Sequence, residues 1–573
     1  MSDIKEFQKN ERDRLTKELV ESDDRFKLVI AGAGTGKSFT FKSLLQQKKV
    51  KSLALTFINN LADELKKDLS GLAEAHTFHG YCKKLLHTLK IDGLTSSFYY
   101  FPKLPLVIKS DNKYLTGDKY KNFRKVFQNL NKGEELKFFL TRATYYNAVG
   151  HDDAVYRVLQ SFKKDSSVIP TYGQIVVDEY QDFNLLEVSF LEELSKLSPT
   201  LIVGDDDQAV YEDLKDASPR FIRNKASDKN FIRFSLPFCS RCTEVIISAV
   251  HDIIGRAQAV GRLVGRINKE YVCYLPDKEA ESVQYPKIIH ARCSLQRKTD
   301  NYNYIGKYIE SEINKITPED WVKAQKGNYP CVLIAGQTQY LNQVYGYLSK
   351  KFKDIDFKET TNDTLNLLDG YLVLLKNNQS NLGWRVLSEI EMKKKILKQM
   401  LVESEQNQVS LVDLIPADFK DEHLAVLEIL KKVKKDESLS EDEEEVVTDK
   451  LAITIEELKK VLKKDPEAED KDKKQSPIKI TSFNGCKGLS ASFVFLVGLN
   501  NTEFPKIQKK PTDKEICQFI VGLTRTRKQC YLISNKSFAT TFGMNQSVFI
   551  DRIDSSRISN VIVDANFFKN LNN

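Results

Sequence analysis

At 573 residues the chain is too long for a single hydrophobic core, and several domains are expected. Its 41% hydrophobic and 29% charged residues are an ordinary soluble balance, and no apolar run is long enough to span a bilayer, so no transmembrane helix is expected, and no membrane partner. The net charge of +8, from 87 basic and 79 acidic residues, permits a polyanionic partner without demanding one. Nine scattered cysteines are odd in number and few for the length, which fits a reducing compartment better than a disulfide framework. The expected location is cytoplasmic, in a prokaryotic or viral setting, or nuclear in a eukaryote. The N-terminal "MSDIKEFQKNERDR" is charged and has no apolar signal core. Cys239 and Cys242 form an isolated C-x-x-C with no second pair nearby, which argues against a metal site.

In chain order, the first strong element is "FKLVI", a short apolar run of buried-strand length beginning at Phe26. It leads into Ala31-Gly32-Ala33-Gly34-Thr35-Gly36-Lys37-Ser38 and then a helical stretch. This is close to the phosphate-loop pattern G-x-x-x-x-G-K-[ST], with Ala31 in place of the first glycine. Glycines let the backbone wrap a phosphate with its N–H groups inward, and the helix N-terminus adds partial positive charge. In that arrangement the loop from Gly32 to Ser38 binds ATP, Lys37 reaches the β- and γ-phosphates, and Ser38 sits on Mg²⁺.

"KSLALTF" is the next strand, and residues 86–165, rich in aromatics and lysine, read as an insertion. "QIVVDEY" ends a strand in Asp178 and Glu179, the first suited to Mg²⁺ and the second to orienting and deprotonating a water. "TLIVGDD" leads to Gln208, placed to sense a γ-phosphate at a strand's carboxyl end, and to Tyr211, which can stack on a base. A second α/β set follows in "YPCVLIAGQ", "PIKITSF", "SFVFLVGL" and "QCYLIS". The helix-rich block 361–474 interrupts it. Within that block the acidic "KKDESLSEDEEE" reads as solvated surface or mobile loop. Arg241 and Arg525 are candidates to neutralise charge on a transferred phosphoryl group.

Taken together the motifs resemble superfamily 1 DNA helicases of the UvrD/Rep/PcrA type, over almost the whole chain and in the family's order. "AGAGTGKS" is similar to motif I, "LALTFINNLADEL" to motif Ia, "TFHGYCKKLL" to Ib, "VDEYQDFN" to II and "GDDDQAVY" to III. "LPFCSRC" keeps the spacing of motif IV from Leu236 to Arg241. "DGYLVLLKNNQSNLGWRVL" resembles the segment entering subdomain 2B, "SFNGCKGLSASFVFLVGLN" motif V and "EICQFIVGLTRTR" motif VI. The sequence departs from the family at Asp213, Asn484, Ser490 and Ile520, and the only upstream candidate for an adenine-reading glutamine is Gln8.

The resemblance implies an α/β fold of two RecA-like parallel-sheet domains, 1A and 2A, each interrupted by a mainly helical insertion. The expected boundaries are 1–85 and 166–235 for 1A, 86–165 for 1B, 236–360 and 475–573 for 2A, and 361–474 for 2B. It implies ATP and Mg²⁺ in the cleft, held by the loop and Gly488, with Lys37, Asp178, Glu179, Gln208, Arg241 and Arg525 acting on the γ-phosphate. It also implies single-stranded or tailed duplex DNA across the top, touched by Thr56, Phe57, Asn59, Thr77, His79, Tyr211 and Asn484, and a protein partner on the 2B-like region. The implied activity is a 3′→5′ DNA translocase and helicase. The alternatives are a translocase that strips proteins from DNA, or the motor subunit of a larger complex, without strand separation; an ATP-gated sensor or effector subunit, as in phage defence; and an RNA motor.

Overall fold

The computed structural model describes residues 2–56, 59–357, 364–463, 475–501, 503–507 and 510–571. The fold is α/β, built on two parallel sheets. The first comprises β1 (Phe26–Ala31), β2 (Ser52–Thr56), β3 (Glu74–Thr77), β4 (Gln174–Val177), β5 (Thr200–Gly204) and β6 (Ile232–Leu236), in the order β3-β2-β4-β5-β1-β6. All its pairings are parallel. Its central strands are buried along their length, because helices cover both faces, so they read as continuous apolar runs rather than alternating ones.

Strand order decides what meets at the sheet's carboxyl edge. β5 lies between β1 and β4, with Leu28 and Val177 both opposite Ile202. The segments leaving β1, β5 and β4 therefore emerge side by side. They are the glycine-rich loop, Asp205–Gln208, and Asp178–Glu179.

Helices Leu104–Thr116, Phe123–Gln128, Glu134–Tyr145 and His151–Lys164 lie between β3 and β4. Their aromatics, among them Phe123, Phe127 and Phe139, are core residues continuous with the first sheet's core.

The second sheet comprises β7 (Ile288–Cys293), β8 (Val332–Gly336), β9 (Ile355–Phe357), β10 (Ile478–Ser482), β11 (Ala491–Val497), β12 (Thr526–Asn535) and β13 (Ile558–Val563). Their order is β9-β10-β8-β11-β12-β7-β13, again parallel throughout. Between β9 and β10 a set of helices from Leu367–Leu374 to Ile455–Lys463 builds its own core around Trp384, Leu387 and Leu427. The acidic run expected as solvated surface or mobile loop is the start of a surface helix, Glu441–Leu451. Ser440 and Glu443 close a capping box there, and four acidic residues occupy the first turn, where the helix dipole favours them.

Asp111, fully buried, joins the two helical insertions. It accepts from Arg142 Nε and Arg385 Nε, both at 2.8 Å, and from the Tyr146 hydroxyl at 2.6 Å. Arg142 also reaches Glu405 at 2.9 Å, and Arg385 reaches Glu389 at 2.7 Å. Among the described residues no helix is long and apolar enough to cross a membrane.

Candidate nucleotide site

The loop after β1 turns on Gly34 (φ 72°) and Gly36 (φ 90°), both in the left-handed region open to glycine. Thr35 Oγ1 donates to the Gly32 carbonyl at 3.0 Å and pins the turn. Helix Lys37–Lys48 starts at once, so its free N–H groups face the loop's concave side. Ser38 is exposed on its first turn. The second half of the chain lies against this loop. A Cβ on Gly34 would meet Arg241 Cβ at 2.4 Å, and the Ser240 N–H donates to the Gly34 carbonyl at 2.9 Å. The Tyr271 hydroxyl and Cys239 Sγ both donate to the Ala33 carbonyl, at 2.8 and 3.1 Å.

Lys37 Nζ donates to Glu179 Oε1 at 2.8 Å and lies 3.8 Å from Asp178 Oδ1. Glu179 sits at φ 54°, and Asp178 Oδ1 accepts its N–H at 2.9 Å. Gln181 Nε2 donates to the other Glu179 oxygen at 2.5 Å, and Lys487 Nζ lies 3.4 Å from it. Lys487, from the loop after β10, also donates to Asp182 Oδ2 at 2.5 Å and to the Gln208 carbonyl at 2.6 Å. Gln208 in turn donates to Asp205 Oδ2 at 2.7 Å and accepts from Arg525 Nη2 at 3.0 Å.

The lysines set the charge states. Burial opposes ionising Glu179, but Lys37 and Lys487 outweigh it and hold its carboxyl well below the usual range. Asp178 lies farther from Lys37 and beside the Glu179 charge, so burial pushes it up to about 6. Asp182 is likewise raised by burial to about 6, against the pull of Lys487, and its Oδ1 is buried without a hydrogen-bond partner.

Arg525 is 2% exposed and is held by neutral acceptors, namely the Val521 and Leu489 carbonyls, Thr524 Oγ1 and Gln208 Oε1. Among the described residues no carboxylate pairs with it or with Arg241, whose Nη1 makes a long 3.5 Å contact to the Thr524 carbonyl. Burial first, and the Arg241 charge second, lower the Arg525 pKa. Two guanidinium groups without a carboxylate, beside a glycine loop at a helix N-terminus, are the electrostatics of an anion site.

Residues 16–213 match the family model AAA_19, described as an AAA domain. This stretch is an AAA-type P-loop NTPase domain. No curated protein matches the chain. The AAA domain contains the glycine loop, Asp178, Glu179 and Gln208, whereas Arg241, Lys487, Gly488 and Arg525 lie beyond it.

The residues fit a magnesium nucleotide. The loop offers N–H donors at a helix N-terminus, and Ser38 and Asp178 supply a hydroxyl and a carboxylate for the metal. Asp205, Asp206 and Asp207 form a second carboxylate cluster, but Lys269 Nζ fills it, at 2.5 Å from Asp205, 3.3 Å from Asp206 and 2.6 Å from Asp207. Arg266 adds a two-bond fork to Asp207.

Gln8, the upstream glutamine the sequence offers, has both ends of its amide engaged by backbone. Its amide donates to the Cys273 carbonyl at 3.0 Å and accepts from the Leu275 N–H at 2.9 Å, which leaves it tying the N-terminal helix to the second half. A shallow cleft beside Thr35 and Gly36 is lined instead by Arg12, Phe39, Thr40 and Phe238.

The expected nucleic-acid contacts are placed unevenly. Thr56, the last residue of β2, is fully buried rather than open to a bound strand. Tyr211 is half-buried at the seam, its hydroxyl donating to the Asn484 carbonyl at 3.3 Å and its ring 5.6 Å from Lys487 Nζ, not open as a stacking platform. Thr77 caps a helix through the Gly80 N–H, and His79 lies 3.6 Å from Asp152. Both are partly exposed, as is Asn484, whose side chain accepts from Gln518 at 2.7 Å. Phe57 and the side chain of Asn59 lie outside the described residues.

Sequence reasoning missed Lys487, Asp182, Gln181 and Tyr271 as members of this site. Lys487 had a signal, since it stands in the "GCKGL" segment already matched to the helicase pattern. Tyr271 had none.

Proposed function

We propose that the chain is an ATP-driven motor that moves along single-stranded DNA, 3′→5′, and unwinds duplex or displaces bound protein. The observation that supports it best is the seam: Arg525 and Lys487, carried by the second sheet, close on Gln208, Asp182 and Glu179, carried by the first. A γ-phosphate there takes Lys37 from Glu179 and gives the two guanidinium groups the anion they lack. Glu179, released, orients and deprotonates the attacking water, and Arg525 meets the charge that develops on the transferred group. Bound Mg²⁺, held by Ser38 and Asp178, would neutralise the phosphate oxygens. Losing the γ-phosphate removes the anion that joins the sheets, and their relative movement is the step. Thr77 ends β3 and Asn484 follows β10, so a strand laid across both carboxyl edges passes near both.

The buried Asp111 cluster favours a second reading, in which the insertions do not swing apart and the motor strips proteins or answers a partner without separating strands.

The test is ATP hydrolysis without nucleic acid, with single-stranded DNA and with single-stranded RNA, at low and moderate salt, beside Lys37→Ala. We expect stimulation by DNA of about tenfold or more, weakening with salt, and no turnover in the variant. Near-normal turnover in Lys37→Ala overturns the site. Turnover indifferent to nucleic acid overturns the motor reading in favour of partner gating.

A further inference from the structure

Three cysteines cluster where the second half of the chain lies on the phosphate loop, and nothing in the proposed hydrolysis uses them. Cys239 ends a short strand, Phe238–Cys239, paired with Val272–Cys273. Cys239 Sγ donates to the Ala33 carbonyl at 3.1 Å and accepts from the Cys242 N–H at 3.3 Å. The Tyr271 hydroxyl lies 3.4 Å from Cys239 Sγ and 4.0 Å from Cys242 Sγ, so one oxygen touches both sulfurs. Cys242 immediately precedes Thr243, the N-cap of helix Glu244–Ala259, whose N-terminus lies beside the pair. Arg241 stands between the two cysteines, with its backbone on Gly34. Cys273 is set apart, its Sγ reaching the Cys242 carbonyl at 3.5 Å rather than either sulfur.

We propose that Cys239 and Cys242 are a reversible dithiol–disulfide pair that switches the nucleotide site off when a peroxide oxidises it. Two neighbouring cysteines with two residues between them, and a backbone N–H on the first sulfur, are the arrangement in which C-x-x-C pairs cycle. The chemistry also singles out the first sulfur. Burial works against a Cys239 thiolate, but hydrogen bonds from Cys242 and Tyr271 overcome it and bring the thiol down to about 6, whereas burial pushes Cys82, Cys242, Cys273, Cys293, Cys331, Cys486, Cys517 and Cys530 up.

The step balances with hydrogen peroxide as the two-electron oxidant. The Cys239 thiolate attacks one peroxide oxygen, the O–O bond breaks, and hydroxide leaves and takes a proton to become water. Cys242 loses its proton and attacks the resulting sulfenic sulfur. The S–S bond forms, the S–O bond breaks, and a second water leaves. A dithiol reductant reverses it by exchange. Both sulfurs are fully buried, so peroxide reaches them when segment 239–241 lifts from the phosphate loop. The disulfide takes Cys239 Sγ from its place on the Ala33 carbonyl and draws Cys239 and Cys242 together around Ser240 and Arg241, so the guanidinium loses its place beside the loop.

The inference rests on the nucleotide reading of this loop, and the test separates the two. The full chain is treated with hydrogen peroxide, digested without reductant and mapped by mass spectrometry. Turnover and binding of a fluorescent ATP analogue are measured before treatment, after it and after dithiothreitol. We expect a Cys239–Cys242 link, a loss of turnover of about tenfold or more, and recovery on reduction. Cys242→Ser should keep its basal turnover, form no such link and show no loss that dithiothreitol reverses. Peroxide that oxidises other cysteines but leaves this pair unlinked overturns the proposal, as does a link that changes neither turnover nor analogue binding. A reversible loss that persists in Cys242→Ser places the sensitive thiol elsewhere and also overturns it. A reduced chain that neither binds nor hydrolyses nucleotide overturns the nucleotide reading, and the switch with it.

Discussion

Glu179 shows how much one carboxylate is asked to do. It sits in the left-handed backbone region, which costs a non-glycine residue about 1 kcal/mol or more, and it is held there by Lys37, Gln181 and Lys487. Replacing it with glutamine keeps the shape and one oxygen for Lys37, but turns an amide N–H₂ towards Gln181 and Lys487 and removes the base. Glu179→Gln should therefore bind a fluorescent ATP analogue about as tightly as the wild type, with kcat lower by about 10²–10⁴. Equilibrium binding and steady-state turnover on one preparation check this, and loss of both together would mean that Glu179 is needed to build the site. At this scale the sequence was informative wherever chemistry demands a residue type at a fixed spacing. Gly34, Gly36, Lys37, Asp178 and Glu179 are such residues, and the first sheet brings them together. It was silent on Tyr271, whose role comes from packing across a seam. It left Gln8 open, because a glutamine's two ends are satisfied as well by backbone as by a base.

At the scale of elements, the central strands were legible because they are buried on both faces. β8, β11 and β12 each carry an apolar run that only a covered parallel sheet explains. β13 was not, since its exposed Ser559 and Asn560 break the run at the sheet's edge. The link between the insertions was equally invisible. Asp111, Arg142 and Arg385 stand in "KSDNK", "LTRAT" and "GWRVL", which read as ordinary charged helix faces. Only the fold reveals them as a fully buried cluster joining helices Leu104–Thr116 and Glu134–Tyr145 to Asn381–Glu391. Removing one partner of such a cluster strands the others' charge, at a cost of about 3–5 kcal/mol. Asp111→Ala should lower the thermal midpoint and raise amide exchange together in Leu104–Thr116 and Asn381–Glu391, while β1, β4 and β5 stay protected. Exchange that rises in one insertion alone would show that the cluster does not tie them.

For the whole molecule the question is what holds the two sheets face to face. Polar contacts cross the seam at the phosphate loop, through Ser240 and Tyr271, and at Gln208 and Asp182, through Lys487, while Arg525 is buried there with only neutral acceptors. A buried guanidinium held by neutral acceptors is unfavourable, since burial and Arg241 both act against its charge. That cost makes the seam responsive. An anion placed between the sheets gains more from Arg525 than a paired arginine could give, and the gain is largest where charge accumulates on the transferred phosphoryl oxygens. Arg525→Ala should therefore lower kcat by about 10³ or more while changing the ATP KM only a few-fold, because the charge acts mainly in the transition state. Arg525→Lys should recover little, since one ammonium cannot reproduce the fork that reaches Gln208, Leu489 and Val521 together. Steady-state kinetics on the three proteins decide it. A change confined to KM would mean that Arg525 only helps hold the ground-state nucleotide, and the coupling between hydrolysis and sheet movement would then have to run through the other seam contacts, those of Lys487 among them.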